Sequence, residues 1–239
     1  MFVVLLFICF SFVCRDIIAI DVMHYASVQY SILYEKFLDS SETFYPEHGY
    51  PLSGNWVATG PVNGWTQGFF PGVFWNLVEY NATGELLKHA MNVTAPTAAF
   101  AKVTSTLNLG FVLMSGFGNG YRLFKIDGYL DVIITGAHSV ATRYSPIVRC
   151  VRSVDTDKGF LVIIDHMMNL DIIFEAANRT NNQTLYNIAW QHANRTMYEH
   201  FREDNSTYHK VEYNETDGSV IRKFTGQGEK KLFDNTRLM

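Results

Sequence analysis

Cysteine is scarce in this 239-residue chain, which holds only Cys9, Cys14 and Cys150. They make no disulfide framework and no spaced Cys/His set for zinc, and Cys150 reads as a small buried residue rather than a nucleophile. Excess charge is lacking too. Nineteen Lys and Arg against twenty-three Asp and Glu leave a formal net charge of −4, with no long run of either sign. That balance excludes a nucleic-acid binder held by a basic face. Apolar runs are short: the longest, Phe2 to Cys14, falls below the roughly twenty residues that cross a bilayer. No stable membrane span is expected. No metal constellation is visible, and the Gly-rich run Gly116-Phe-Gly-Asn-Gly120 opens no strand-to-helix dinucleotide unit. It reads as a loop, and no cofactor is implied.

What is present is apolar and aromatic: 48% hydrophobic and 15% aromatic residues, enough for a packed core and too many for a disordered chain. The Phe2–Cys14 run, closed by Arg15 and Asp16, fits the h-region of a secretory signal peptide, with Ala19 a candidate cleavage position and a buried N-terminal strand the alternative. Seven Asn-x-Ser/Thr sequons begin at Asn81, Asn92, Asn178, Asn182, Asn194, Asn205 and Asn214. That density, behind such a leader, points to the secretory pathway and a secreted or lumenal place. Several sequons lie within helical patterns, so not all need be occupied.

Helical periodicity dominates the rest. In residues 22–39, Tyr25, Val28, Ile32, Leu33 and Phe37 mark one apolar face. Further helices are expected over 65–80, 84–101, 107–115, 128–143, 163–178 and 184–201, with 40–64 as a loop. Two short strands, 207–213 and 219–224, are joined by a Glu-Thr-Asp-Gly turn. A helix–turn–helix pattern recurs at Tyr80–Ala90, Ala177–Ala189 and, more loosely, Leu123–Ile133. Stacked helical hairpins are the expected architecture.

Four stretches set polar groups among aromatics or glycines: 63–72, 108–111 with 118–122, 163–170, and Tyr208-His209. Each has a plain structural reading. Glycines beside aromatics mark tight helix packing, Asp165 can cap the helix that follows it, and His209 can be a satisfied strand histidine. Their combination suits a sugar cleft, where rings stack on pyranose faces and sparse polar groups fix the hydroxyls.

GWTQGFFPGVFWNLVEYNATGE, NLGFVLMSGFGNGYRL, ATRYSPIVRCVRS, VIIDHMMNLDIIFEAA and STYHKVEYNETDGSVIRK, in that order, resemble the unsaturated glucuronyl hydrolase family of glycoside hydrolases. The resemblance implies an all-α (α/α)6 barrel of six helical hairpins. It implies removal of a 4,5-unsaturated uronic acid from the non-reducing end of oligosaccharides left by polysaccharide lyases, glycosaminoglycan-type or similar. The chemistry implied is hydration of an enol ether: a carboxylic acid protonates C4, water adds at C5 and the hemiketal collapses. The carboxylate-spacing rule of ordinary glycosidases does not govern this reaction.

By the same resemblance Asp165 is the general acid and base, which must hold a proton when substrate binds. Ile163, Ile164, Met167 and Met168 are the expected apolar surroundings. Trp65 is implied as an aromatic wall, and His209 and Gln227 as polar contacts to substrate or water. The chain departs from the family at Asn108, where a second catalytic aspartate is expected; an amide cannot titrate. It departs again at Thr225-Gly-Gln-Gly228, where the family has Thr-His-Gln-Gly, and the family's Arg-bearing substrate motif is absent after it. The expectation is a signal peptide over 1–19, a partial catalytic domain over 20–228 lacking about five of twelve barrel helices, and a divergent tail over 229–239. Three readings follow: a truncated hydrolase, an inactive form that still binds sugar, or a helical secreted glycoprotein without ligand.

Overall fold

A computed structural model describes residues 22–41, 44–50, 52–62, 64–156 and 159–226. The expected leader and tail, Asn63 and Gln227 lie outside them. Residues 22–39 form α1. Its covered face is Tyr30, Leu33, Tyr34 and Phe37, whose rings meet Phe70, Phe74 and Tyr45. Of the expected face only Leu33 and Phe37 are buried; Tyr25, Val28 and Ile32 are exposed. The helix is apolar on two sides, and sequence periodicity alone could not say which one packs.

The expected loop 40–64 carries a small antiparallel hairpin, β1 (Tyr45–Gly49) and β2 (Trp56–Thr59). Its first residue, Tyr45, is fully buried and donates its hydroxyl to the Val93 carbonyl at 2.8 Å. A 3-10 turn, Thr66–Gly68, leads into α2 (Phe69–Tyr80), which buries Phe70, Phe74, Trp75, Leu77 and Val78. Thr83 caps α3 (Gly84–Thr94) by accepting the Leu86 N–H. The helix expected to reach 101 changes to 3-10 winding over Ala95–Lys102, where Pro96 has no N–H for an α-helical bond.

The Gly-rich run is a helix, not a loop. α4 (Leu109–Leu113), a π-helical turn (Met114–Gly118) and α5 (Asn119–Phe124) form one continuous rod, in which the Asn119 N–H reaches the Met114 carbonyl five residues back. Glycine is a poor helix former, but here its smallness permits contact. A Cβ on Gly120 would stand 2.5 Å from the Tyr129 ring and 2.8 Å from Trp75.

α6 (Tyr129–Ala141) pairs with α7 (Leu170–Thr180), and α7 with α8 (Gln183–His200). All three helix–turn–helix repeats fall at joins between helices. Between α6 and α7 lie β3 (Tyr144–Ser145), β4 (Cys150–Val151) and β5 (Phe160–Ile163). After α8 come β6 (Lys210–Tyr213) and β7 (Val220–Phe224), giving a three-stranded antiparallel sheet in the order β5-β6-β7. The expected helix at 163 therefore starts late. The all-apolar Phe160–Ile163 pairs with β6, a 3-10 turn spans Ile164–Asn169, and α-helix begins only at Leu170.

Two cores result. The larger unites α1 to α8, and a smaller one under the sheet holds Val148, Cys150, Phe160, Val162, Val211 and Tyr213. Cys150 is free and buried, and burial pushes its thiol up to about 12. No helix among the described residues is long and apolar enough to cross a membrane.

Candidate active site

Four of the five residues singled out for substrate chemistry meet at one end of α4. Trp65, Leu107, Asn108, Phe111 and Asp165 line an open pocket of ≈ 270 Å³. They come from three segments drawn together by two glycines. A Cβ on Gly68 would lie 2.4 Å from Val112 Cα, so the turn after Trp65 can seat directly on α4. A Cβ on Gly110 would lie 2.6 Å from Asn169 Cα, so the turn carrying Asp165 seats on α4 from the other side. Asn169, fully buried, locks that second contact by accepting the Gly110 N–H at 2.6 Å.

Trp65 is half exposed and meets Phe69 and Phe111 edge to face, with centroids 5.7 and 6.1 Å away. The three rings form an aromatic wall. Asn108 stands at the start of α4, but its side chain makes no cap hydrogen bond. Its backbone N–H goes to Thr106 Oγ1, which leaves the amide group to the pocket.

Asp165 stands in the 3-10 turn that follows β5. Among the described residues neither that turn nor α7 has a side-chain cap hydrogen bond, so the capping role does not apply. The β5–β6 ladder runs on through the Ile164 N–H to the His209 carbonyl, and this carries His209 to Asp165. Nε2 of His209 lies 3.5 Å from Asp165 Oδ2. Its Nδ1 accepts the Gly226 N–H at 3.0 Å, so the neutral ring carries its proton on Nε2, facing the carboxylate. Burial lowers the His209 pKa, with Asp165 opposing that shift, which favours the neutral ring.

The apolar surroundings of Asp165 differ from those expected. Met167 and Met168 are exposed, and the apolar groups beside it in the pocket are Trp65, Leu107 and Phe111. Sequence reading assigned no role to Phe111, Leu107 or Asn169. Phe111 and Asn169 both stood inside quoted stretches, but neither was given a part in the site. A larger cavity of ≈ 480 Å³ lies elsewhere, around Arg143 and Arg152. Those cations are paired with Asp155 and Glu215, which leaves little net charge for a ligand. Among the described residues no cluster of three or more His, Cys, Asp or Glu could hold a metal ion.

Helical hairpins thus carry, at one end of α4, a pocket with an aromatic wall and a single carboxylate. No protein-family model matches the chain. It is 37% identical over 172 residues to the unsaturated glucuronyl hydrolase of Formosa agariphila, covering 70% of this chain and 43% of the relative. A crystal structure of an unsaturated glucuronyl hydrolase specific for heparin superposes with a TM-score of 0.80 at 31% identity, covering 87% of this chain and 55% of that one. An aspartate-to-asparagine variant of another such enzyme, solved with dGlcA-Glc-Rha-Glc, superposes at 0.75 with 21% identity, over 85% of this chain and 55% of that one. The chain belongs to the unsaturated glucuronyl hydrolase family and has the fold of an incomplete (α/α)6 toroid with a few small antiparallel sheets, the expected C-terminal hairpin being joined by β5 into three strands. It spans less than half the length of the curated relatives it matches.

Proposed function

We propose that the pocket between Trp65 and Asp165 binds a 4,5-unsaturated uronic acid at the end of an oligosaccharide and that Asp165 hydrates its enol ether. The observation that carries this reading is the meeting of Trp65, Asn108 and Asp165 in one pocket, with the His209 N–H turned to the carboxylate. Trp65 and its two neighbouring rings offer a flat apolar face for the sugar. Asp165 gives its proton to C4, and the carboxylate that remains takes one from the water adding at C5. The neutral His209 N–H steadies that carboxylate between the two transfers. The hemiketal then opens and releases the shortened sugar.

Asn108 supports a second reading, binding without efficient turnover. Its amide has the shape of a carboxylate and can hydrogen-bond a hydroxyl, but it carries no charge and exchanges no proton at ordinary pH. A relative bearing an aspartate-to-asparagine change holds dGlcA-Glc-Rha-Glc. We assign the chain to the secretory pathway; its support is the apolar leader and seven sequons.

The test is loss of enol-ether ultraviolet absorbance from an unsaturated disaccharide, measured beside a binding titration. Slow turnover is expected, rising about 10²-fold or more in Asn108→Asp, the usual scale of an acid–base group. Turnover should vanish in Asp165→Asn with binding kept. Turnover unaffected by Asp165→Asn would overturn the assignment of the acid, and a rate unchanged by Asn108→Asp would show that this position is indifferent.

A further inference from the structure

The seven sequons differ sharply in what their amides do. Asn81 follows the last residue of α2 in an extended backbone conformation (φ −148°, ψ 88°), and it is exposed. Asn178 is exposed on the last turn of α7. Asn205 is exposed in the turn between α8 and β6, in the left-handed region at φ 65°. Asn92 is the opposite case. Its Nδ2 donates to the Tyr34 hydroxyl at 2.7 Å, tying α3 to α1, and that tyrosine is buried and stacked on His89 with centroids 3.7 Å apart. The sequon threonine, Thr94, is fully buried, accepting from Trp75 Nε1 and donating to the Ala90 carbonyl.

We propose that Asn81, Asn178 and Asn205 carry N-linked glycans in the folded protein and that Asn92 carries none. The inference rests on the secretory reading above. The transfer joins the anomeric carbon of an oligosaccharide to Nδ2. Its bond to the oxygen of a polyprenyl-pyrophosphate carrier breaks, the carbon–nitrogen bond forms, the amide gives up one proton and the carrier pyrophosphate leaves. Attachment precedes folding, so the fold acts as the selector. A glycan on Asn92 leaves Nδ2 one N–H but sets a sugar at the nitrogen that stands 2.7 Å from the Tyr34 hydroxyl, so a chain so modified is hindered from closing α1 on α3. Glycans at the other three positions replace only water. Asn182, Asn194 and Asn214 are half-buried and stand outside this division. None of the three glycan-bearing positions lines the Trp65–Asp165 pocket, so the site stays open in the modified protein.

The test is expression of the full chain in a secreting eukaryotic cell, enzymatic removal of glycans in heavy-oxygen water, and peptide mapping by mass spectrometry. Heavy aspartate is expected at 81, 178 and 205, with unlabelled asparagine at 92. Asn81→Gln, Asn178→Gln and Asn205→Gln should each advance the gel band by one glycan step, and Asn92→Gln should not move it. Label at Asn92 in the secreted folded protein, or its absence from any of the three while other sequons are labelled, overturns the division. No label at any sequon overturns the secretory reading itself, and the division with it.

Discussion

The two sides of this molecule bury different chemistry. From α1 to α3 the core is a lattice of rings: Tyr30, Tyr34, Phe37, Tyr45, Phe70 and Phe74 meet mostly edge to face, at centroid distances from 5.3 to 6.1 Å. Between α8 and the sheet the interior is ionisable, with His166, His192 and His200 wholly buried beside Cys150 and Tyr213. Val151 and Tyr208 backbone groups hold His192 and His200 through one ring nitrogen each, and the other nitrogen has no partner among the described residues. The pocket lies on the seam. Its aromatic wall comes from the first side, and its acid and histidine from the second. Among the described residues the ring lattice touches one histidine, His89 stacked on Tyr34, whereas three wholly buried histidines tie the second side more strongly to the protonation state of the solvent.

The largest single-residue break in this contrast comes from the ring side. Phe74→Ala removes a side chain that is fully buried and touches Tyr30, Tyr34 and Phe70, and should cost about 3–5 kcal/mol in denaturant unfolding. Because Phe74 also meets His89, that loss should change between pH 7 and pH 5 by no more than one histidine's share. A loss that depends on pH as steeply as the whole histidine side would erase the distinction between the sides.

The histidine side should answer to acid. Burial holds His192 down at about 3 and His200 at about 4, and pushes His166 well below its usual value. All three are neutral when folded, while the unfolded chain takes up protons near 6.5. Between those values the unfolded state binds more protons, so stability is complete above about 6.5 and falls as pH drops toward 4. The slope is roughly 1.4 kcal/mol per unit for each histidine. Unfolding curves at pH 7 and pH 4.5 measure the drop, and His192→Gln, which removes one titrating group, should make it smaller. An unchanged drop would mean that His192 is not buried as a neutral ring.

The smallest expected effect sits at the seam. Asn169→Ala leaves the Gly110 N–H without its buried acceptor and should cost about 1–3 kcal/mol. Because the same contact seats the Asp165 turn on α4, sugar affinity should weaken alongside stability. A stability loss with unchanged sugar affinity would show that the turn is held by other contacts.

Much of the helical order was legible because burial imposes a 3.6-residue period, and the joins at Tyr80, Leu123 and Ala177 show where that apolar spacing restarts. Two of the short strands, β6 and β7, were legible and fall within the expected 207–213 and 219–224, while β1 to β5 were not. Phe160–Ile163 is an unbroken apolar run, equally suited to a helix start, and its pairing with Lys210–Tyr213 is set by residues about fifty positions away. The glycine run misled for a related reason. Propensity argues against helix at Gly116, Gly118 and Gly120, while the reward, contact of Gly116 with Thr94 and Pro71 and of Gly120 with Trp75 and Tyr129, comes from other helices. The site followed the same division. Periodicity could not join residues 65, 108, 165 and 209, and family likeness named them; Asn169 stood in the same quoted motif as Asp165, but its work of binding two turns together shows only in the fold.

The π-helical turn at Met114–Gly118 has a consequence for evolution of the site. A residue added to an α-helix rotates everything beyond it by about 100°, and a π-turn absorbs such an insertion without breaking the rod. Asn108 and Phe111 precede it and face the pocket; Gly120 follows it and faces Trp75 and Tyr129. The bulge works as a phase coupling between two otherwise rigid shafts. Deleting one residue there would let α-helical winding run through and leave the pocket end and the distal end facing as before, whereas the same deletion within α5 would turn the end of the rod out of register with α6.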